Sequence, residues 1–369
     1  MSEERLTNIA RKAIQENHLI REIASEQLKD AEHYSGKIAD VYWFQDGTGL
    51  LFRSDRISAF DEVLKSLVPN KGVVLTELTK HFARNTNITT AYILEGPDDP
   101  NCLKMEKLDM IPIEVIGRKL FGGSGYRDFQ ALPLDENRKP DESKPWSPEH
   151  NRFFQQYEII ISPDSFEEPD LVSPYFKGKG PLPQWLRLND WIVTPTTKAE
   201  QGEHDEGITE GQAFQIVGDK WYVLKNSFHT SVYEAEQAVA STGLFLGDTK
   251  LEFGFAKDRV IKIGDEIFTG DSSRYYDTED YAKYMDTIRA GNLDAKLSQQ
   301  FSKEMVRQYL IESGLKGKAA ELPEEVVVAC SVGYMQSLER ITGRRIEDYV
   351  NPAENPQERI ENHIAEVKR

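Results

Sequence analysis

Cysteine is nearly missing: Cys102 and Cys330 are the only two in 369 residues. Two thiols excluded from any close spacing rule out a disulfide scaffold and offer no metal-ligand pattern. Each reads as an inert residue rather than a nucleophile. No apolar run approaches the roughly 20 residues of a membrane-spanning helix, and Met1-Ser2-Glu3-Glu4-Arg5 does not begin a signal peptide. Together these absences predict a cytoplasmic protein with no membrane partner. Positive charge is also short, with 45 Lys and Arg against 62 Asp and Glu and a net charge of −17. That excludes a general nucleic-acid surface, because affinity for a phosphate backbone rests on Lys and Arg. A local basic pocket for an anionic substrate stays compatible with it. There is no internal repeat. What remains, 39% hydrophobic and 29% charged residues, fits a globular chain of one large or two modest domains.

The most informative stretch is Leu246-Gly247-Asp248-Thr249-Lys250-Leu251-Glu252-Phe253-Gly254, followed by Arg259 to Phe268. In an extended chain side chains alternate, so Asp248, Lys250 and Glu252 share one face, while Thr249, Leu251 and Phe253 take the buried one. Ala256-Lys257-Asp258-Arg259 suits a reverse turn, with Val260, Ile261 and Ile263 as a second strand. A turn centred between Lys257 and Asp258 sets Asp265 opposite Lys250 and diagonal to Glu252, about 7–8 Å away, where two carboxylates can share a cation. A one-residue slip would turn Asp265 to the other face. The charges are either a solvated ion-pair ladder or ligands for Mg²⁺, which takes one or two carboxylates plus nucleotide phosphates. Gly270-Asp271-Ser272-Ser273-Arg274 adds hydroxyls and a guanidinium fork suited to phosphate or carboxylate.

In chain order, residues 2–33 carry Ile and Ala at helical spacing and read as a packing arm or an oligomer contact, which leaves a homo-oligomer open. Ser35-Gly36-Lys37 opens a β-rich region. A Gly-Lys step before a strand either folds over phosphates or is a plain turn, and it lacks the GxxxxGK[ST] of a Walker A loop. Ser54 to Asp61, including Ser58, reads as a functional loop or a helix cap. Val73 to Arg84 is an amphipathic helix. From Met110 an apolar strand ends in Arg118, and a glycine-rich loop with Ser124 follows; together they can form an anion pocket or a flexible surface loop. Residues 134–188 are excursions around one strand at 157–162. Trp191 to Glu206 mixes Lys198, His204 and Asp205 without regular structure, and a lone His is more often solvated or structural. Residues 209–243 are one or two helices, 277–345 carry helices at 280–289, 302–312 and 323–343, and the charged tail 351–369 reads as peripheral.

Seven segments in order carry a resemblance: GKIADVY, SDRISAFD, NKGVVLTELT, MIPIEVIGRKLFGGS, TPTTKAEQGEHDE, GDTKLEFG and GDEIFTGDSSR. Over about residues 35–345 the chain resembles the SAICAR synthetase family, the purine-pathway ligases. The resemblance implies an α+β fold of two lobes with an ATP-grasp-like nucleotide site between them and helical extensions at both ends. The implied divisions are an arm (1–34), a β-rich ATP lobe (35–109), a lobe with the substrate site and metal carboxylates (110–276) and a helical region (277–369). It also implies joining a carboxyaminoimidazole ribotide (CAIR) to L-aspartate at the expense of ATP, through an acyl phosphate, with Mg²⁺ as cofactor. By motif, Gly36, Lys37, Met110, Lys250, Glu252 and Asp265 fall on the ATP side, with Glu252 and Asp265 on the metal. Ser58, Asp61, Arg118, Ser124, Asp248, Asp271, Ser273 and Arg274 fall on the substrate side. Lys198, Asp205, Lys250 and Asp248 are the implied catalytic groups, Lys198 and Asp205 lying on a loop that closes over the reactants. Three positions depart from the family: Ala39 stands where a base is usual, and Gly117 and Gly247 replace larger apolar residues. A phosphotransferase on a related scaffold would keep Lys37, Glu252 and Asp265 without needing Arg118, Ser124 and Arg274. A non-catalytic nucleotide binder should have lost a metal carboxylate.

Overall fold

The chain begins with helix α1 (Glu3–Gln15), capped by the Ser2 side chain. Asn17 ends it in the left-handed conformation (φ 53°), so the arm expected over 2–33 is helical only in its first half. Ile20, Ile23 and Leu28 then pack as separate anchors on the first sheet. The structure is a computed structural model that describes residues 2–23, 25–135, 141, 143–145, 147–157, 162–177, 180–198 and 205–367. Next come β1 (Glu32–Ser35), β2 (Ala39–Trp43), β3 (Thr48–Arg53), β4 (Arg56–Ala59), β5 (Glu62–Leu67), α2 (Lys71–Asn85), β6 (Tyr92–Ile93) and β7 (Cys102–Glu106). The first sheet is antiparallel in the order β1-β2-β3-β7-β6, and β4 and β5 form a separate hairpin. The stretch expected as a loop from Ser54 to Asp61 is therefore largely strand. It closes on Phe60 and Asp61, both with positive φ (55° and 65°), the geometry of the two-residue turn that matches strand twist.

The second half contains β8 (Asp109–Phe121), α3 (Gly123–Gln130), α4 (Pro148–Tyr157), α5 (Pro169–Phe176), β9 (Leu186–Thr197), α6 (Glu210–Val217), α7 (Lys220–Val239), β10 (Leu244–Phe255), β11 (Ile261–Ile263) and β12 (Ser273–Asp277). Of the strand expected at 157–162, Tyr157 instead ends α4, Ser162 caps a single 3₁₀ turn, and 158–161 lie outside the described residues. The second sheet runs β11-β10-β8-β9, with β12 paired to the first half of β10. All its pairings are antiparallel, and helices gather beside the sheets rather than alternating with parallel strands, so the fold is α+β.

Alternation decides which face of the second sheet is core. Ile111, Ile113 and Val115 of β8, with Thr249, Leu251 and Phe253 of β10, are buried on one side, where α7 packs through Trp221, Leu224, Phe228 and Val232. Gly117 and Gly247, two of the three family departures, have packing causes. A Cβ on Gly117 would lie 2.2 Å from the Phe228 ring, and one on Gly247 would lie 2.4 Å from Tyr276. Aromatic rings fill the space a larger residue would take. Gly117→Ala should therefore destabilise by about 1–3 kcal/mol through overpacking, measured as a lower urea midpoint at constant m value. An unchanged midpoint would mean that Phe228 can step aside.

The chain ends in α8 (Thr278–Arg289), α9 (Glu304–Glu312), α10 (Glu324–Thr342) and α11 (Pro356–Val367). The tail is not peripheral: Ile360 and Ile364 are fully buried with Tyr42, Leu50 and Phe52 on the first sheet, and Arg359 Nε donates to Asp99 at 2.8 Å. Its helical spacing of Ile360 and Ile364 supplies one apolar stripe, which the surrounding charges obscure. No helix among the described residues is long and apolar enough to cross a membrane.

Candidate active site

The face of the second sheet opposite α7 is polar, and strand register arranges it in rows. Glu114 pairs with both Glu252 and Thr196, Ile116 with Lys250 and Thr194, and Arg118 with Asp248 and Ile192. Asp248 also pairs with Arg274 of β12. Acidic residues thus sit at one end of the face and guanidinium groups about 13 Å away at the other, four residues along a strand.

At the acidic end, Lys250 Nζ reaches Glu252 at 2.7 Å and also bonds Glu114, and Lys198 bonds the other oxygen of Glu252. Asp265 lies against Glu252: burial, with that neighbour's charge added, pushes its carboxyl up to about 7. Burial likewise raises Glu114 to about 7, relieved in part by Lys250 and aggravated by Glu252 and Asp205. Glu252 is also buried, but the two lysines outweigh that and hold it below the usual carboxylate range. Burial opposes the charge of Lys250, yet Glu252 and Glu114 keep it above its ordinary value. Three carboxylates against two ammonium groups leave one formal negative charge in a poorly solvated place, which a cation would relieve. Among the described residues no three His, Cys, Asp or Glu side chains form a complete metal site. Glu252 and Asp265 still fit a hard cation that draws its other ligands from bound phosphates.

Asp265 arrives there by a different register from the expected one. β10 and β11 pair Phe253 with Ile263 and Gly254 with Lys262, one residue off the alignment that put Asp265 opposite Lys250. The cause is a three-residue loop, Lys257-Asp258-Arg259, closed by Ala256 N to Val260 O (2.9 Å) with Arg259 in the left-handed region (φ 67°). β11 then ends at Ile263, and the chain bends at Asp265, which still lies against Glu252. Met110 lies at the same end, and its Sδ would be 2.8 Å from a Cβ on Gly264 and 3.0 Å from one on Gly254. It is 36% exposed, leaving an apolar surface beside the carboxylates. Lys198 and Asp205 flank residues 199–204, and Thr197 N bonding Glu206 O at 2.9 Å brings the chain back; His204 is outside the described residues.

At the basic end, Arg274 Nη1 donates to Asp248 at 2.7 Å, and Asp248 holds the guanidinium above its ordinary range despite burial. Arg118 bonds the Thr194 hydroxyl. Glu304 of α9 stands 3.8 Å from Arg274 and 3.3 Å from Arg307. Arg307 lies 5.9 Å over the Phe60 ring, which brings the β4–β5 turn to this end. Its Nε is buried with no hydrogen-bond partner among the described residues. Ser124 heads α3 just after Arg118 in the chain, and its side chain is outside the described residues.

Other sequence-based candidates fall elsewhere. Lys37, in the β1–β2 turn beside Gly36, pairs with Asp61 at 2.6 Å, so two hairpin tips meet. Ser58 is 8% exposed within β4. Ser273 is turned away from the site: alternation puts it on the face opposite Arg274, 2.7 Å from the Thr249 hydroxyl. Asp271 is enclosed by Lys71 (2.9 Å) and Tyr334 rather than presented outward. Burial alone would raise its carboxyl, but Lys71 and Lys303 carry it well below the usual range. Glu114, Glu304 and Arg307 were missed by sequence reasoning. Glu114 left one signal, a lone carboxylate inside an apolar strand; the other two left none.

Fold and site define an α+β protein whose polar sheet face has the charges to hold anionic small molecules. A model of the SAICAR synthetase family matches residues 32–322. The phosphoribosylaminoimidazole-succinocarboxamide synthase of Mycobacterium leprae (strain TN) is 30% identical over 341 residues, covering 88% of this chain and 98% of that relative. In fold, the chain is similar to the SAICAR synthase from Saccharomyces cerevisiae complexed with SAICAR, with TM-score 0.63 at 22% identity over 88% of this chain and 99% of that one. A type-2 SAICAR synthetase in complex with ADP gives 0.55 at 22% identity, over 85% and 99%. The chain belongs to the SAICAR synthetase family.

Proposed function

We propose that this protein joins the carboxylate of CAIR to the amine of L-aspartate, converting ATP to ADP and phosphate and yielding SAICAR for purine biosynthesis. The observation that carries the reading is the two-ended polar face, with a carboxylate–lysine cluster at one end and guanidinium groups at the other. An oxide is a poor leaving group, so the CAIR carboxylate must first be activated. Its oxygen attacks the γ-phosphorus of ATP and ADP departs; the aspartate nitrogen then attacks the acyl carbon, phosphate leaves, and the nitrogen loses a proton. Catalysis of this kind is mostly positioning and neutralisation of charge.

Glu252 and Asp265 are the residues that would hold Mg²⁺, which would supply positive charge to the bound nucleotide. Lys250 and Lys198, already gathered by Glu252, are placed to shift toward phosphate oxygens when ATP enters. Met110 offers its partly exposed side chain to the adenine. Lys37 exchanges Asp61 for phosphate, and Asp61 lies on the turn assigned to the substrate side. Arg118, Arg274 and Arg307 grip the ribotide phosphate, with Asp248 orienting Arg274. On this reading residues 35–109 form the nucleotide-side lobe and 110–276 the lobe carrying the substrate groups.

The test is ADP release with ATP, Mg²⁺ and aspartate, with and without CAIR, while the succinocarboxamide is followed by mass. ADP and product are expected together and only with all substrates present. ADP release indifferent to CAIR would instead favour a phosphotransferase with another acceptor.

A further inference from the structure

Arg53 closes β3 and is 1% exposed, one of the largest fully buried side chains among the described residues. Its Nη1 donates to the Leu75 carbonyl and the Thr79 hydroxyl of α2, both at 2.7 Å. Its Nε lies 3.3 Å from Glu266 Oε1, too poorly directed to count as a hydrogen bond, and Nη2 has no partner among the described residues. A buried guanidinium left partly unsatisfied is disfavoured relative to an apolar side chain of similar volume. If Arg53 served only to join β3 to α2, a methionine would pack there with less desolvation.

What surrounds it suggests another task. Glu266 follows Asp265 directly, and its second oxygen accepts from the Thr269 hydroxyl. Tyr92 of β6 has its ring centroid 6.0 Å from the Arg53 guanidinium carbon, and its hydroxyl donates to the main-chain carbonyl of Asp265 at 2.8 Å. Ile263, just upstream, exchanges main-chain hydrogen bonds with Thr89 and Ala91, both 2.9 Å. The bend carrying Asp265 is thus suspended from the first sheet by main chain, by Tyr92 and by the Arg53–Glu266 pair. Asp265, Glu266 and Asp271 all lie close enough to act electrostatically on Arg53, so one fixed cation sits behind a concentration of acids.

We propose that Arg53 is a positioning residue for Asp265: it fixes the 264–269 bend through Glu266 and Tyr92 and offsets the surrounding negative charge, so that the Asp265 carboxylate faces Glu252 ready for a divalent cation. This rests on the reading of Glu252 and Asp265 as the metal pair. It explains why a charge is kept at a position where packing alone favours an apolar residue. Partners that orient a metal ligand from behind typically change metal affinity by about 10–100-fold when removed.

The experiment is Mn²⁺ binding to the full chain with saturating ADP, read from the free-ion electron paramagnetic resonance signal, beside thermal melts and metal-free ADP binding. Arg53→Met should weaken Mn²⁺ by about 10–100-fold, with Arg53→Lys recovering part of the loss and metal-free ADP binding unchanged. A folded Arg53→Met with wild-type Mn²⁺ affinity overturns the proposal, even if it melts earlier. If Arg53→Met does not fold, Tyr92→Phe removes only the hydroxyl on the Asp265 carbonyl and should weaken Mn²⁺ several-fold; unchanged affinity there overturns it equally. Asp265→Asn separates the two layers. Unchanged Mn²⁺ affinity in that variant overturns the metal reading and this inference together, whereas a loss there with Arg53→Met unaffected overturns the inference alone.

Discussion

Glu252→Gln should abolish turnover while leaving the fold intact. The amide has the volume of the carboxylate, and Glu252 is bonded by side chains rather than holding any main-chain group. Lys250 keeps Glu114 as a partner, and Lys198, 44% exposed at its side chain, can rehydrate. Stability should therefore change little. Catalysis should not survive, because the substitution removes the carboxylate of the cluster that two ammonium groups converge on. Removing one preorganised electrostatic group from an active site commonly costs about 10²–10³ in rate, and a loss of at least that size is expected in steady-state ADP release. The melt should stay within a few degrees of wild type. Turnover within a few-fold of wild type would take Glu252 out of the metal site.

Arg274→Ala should act at the other end. It removes a guanidinium that donates from Nη1 to Asp248 and stands with Nε 3.8 Å from Glu304. A charged hydrogen-bonding group of this kind contributes about 1.5–3 kcal/mol, a rise of roughly 12–160-fold in the KM for CAIR. Asp248, left without its partner, adds repulsion toward an anionic ligand. The KM for ATP should stay near wild type, since the proposed reading puts the nucleotide at the acidic end. Arg274→Lys should recover only part of the loss, because an ammonium lacks the planar fork. An unchanged KM for CAIR in Arg274→Ala would exclude its assigned part.

The polar face itself was legible because alternation is a strong rule: once Leu251 and Phe253 were taken as core, Asp248, Lys250 and Glu252 had to share the other side. The same rule, applied to β12, would have turned Ser273 away from Arg274; motif adjacency suggested otherwise, and adjacency in sequence means opposite faces in a strand. The slip between β10 and β11 was not legible, because it depends on Arg259 taking a left-handed conformation that arginine seldom adopts. Asp271 looked like a ligand because its buried partners, Lys71 and Tyr334, are 200 and 63 positions away. Glu304 and Arg307 reach the basic end from a helix that nothing local connects to β10. Glu114 was readable but unread: one acid among Ile113, Val115 and Ile116 asks for a cation, which turned out to be Lys250.

The seating of α11 bears on how the molecule assembles. Arg359 meets Asp99 across 260 positions, and the same neighbourhood ties Asn101 to the Arg53 carbonyl at 2.8 Å. Tyr42, Leu50 and Phe52 form early in the chain beside Ile20, Ile23 and Leu28, yet Ile360 and Ile364, which complete their cover, come more than 300 positions later. Long-range closure of this kind slows folding, since loop entropy is lost before contacts repay it. During synthesis, the part of the first sheet that Ile360 and Ile364 cover stays wet and adhesive until α11 emerges and docks. Chaperone engagement should therefore centre on residues 42–52, and fusions that delay or block the docking of α11 should lower the soluble yield before they touch the chemistry.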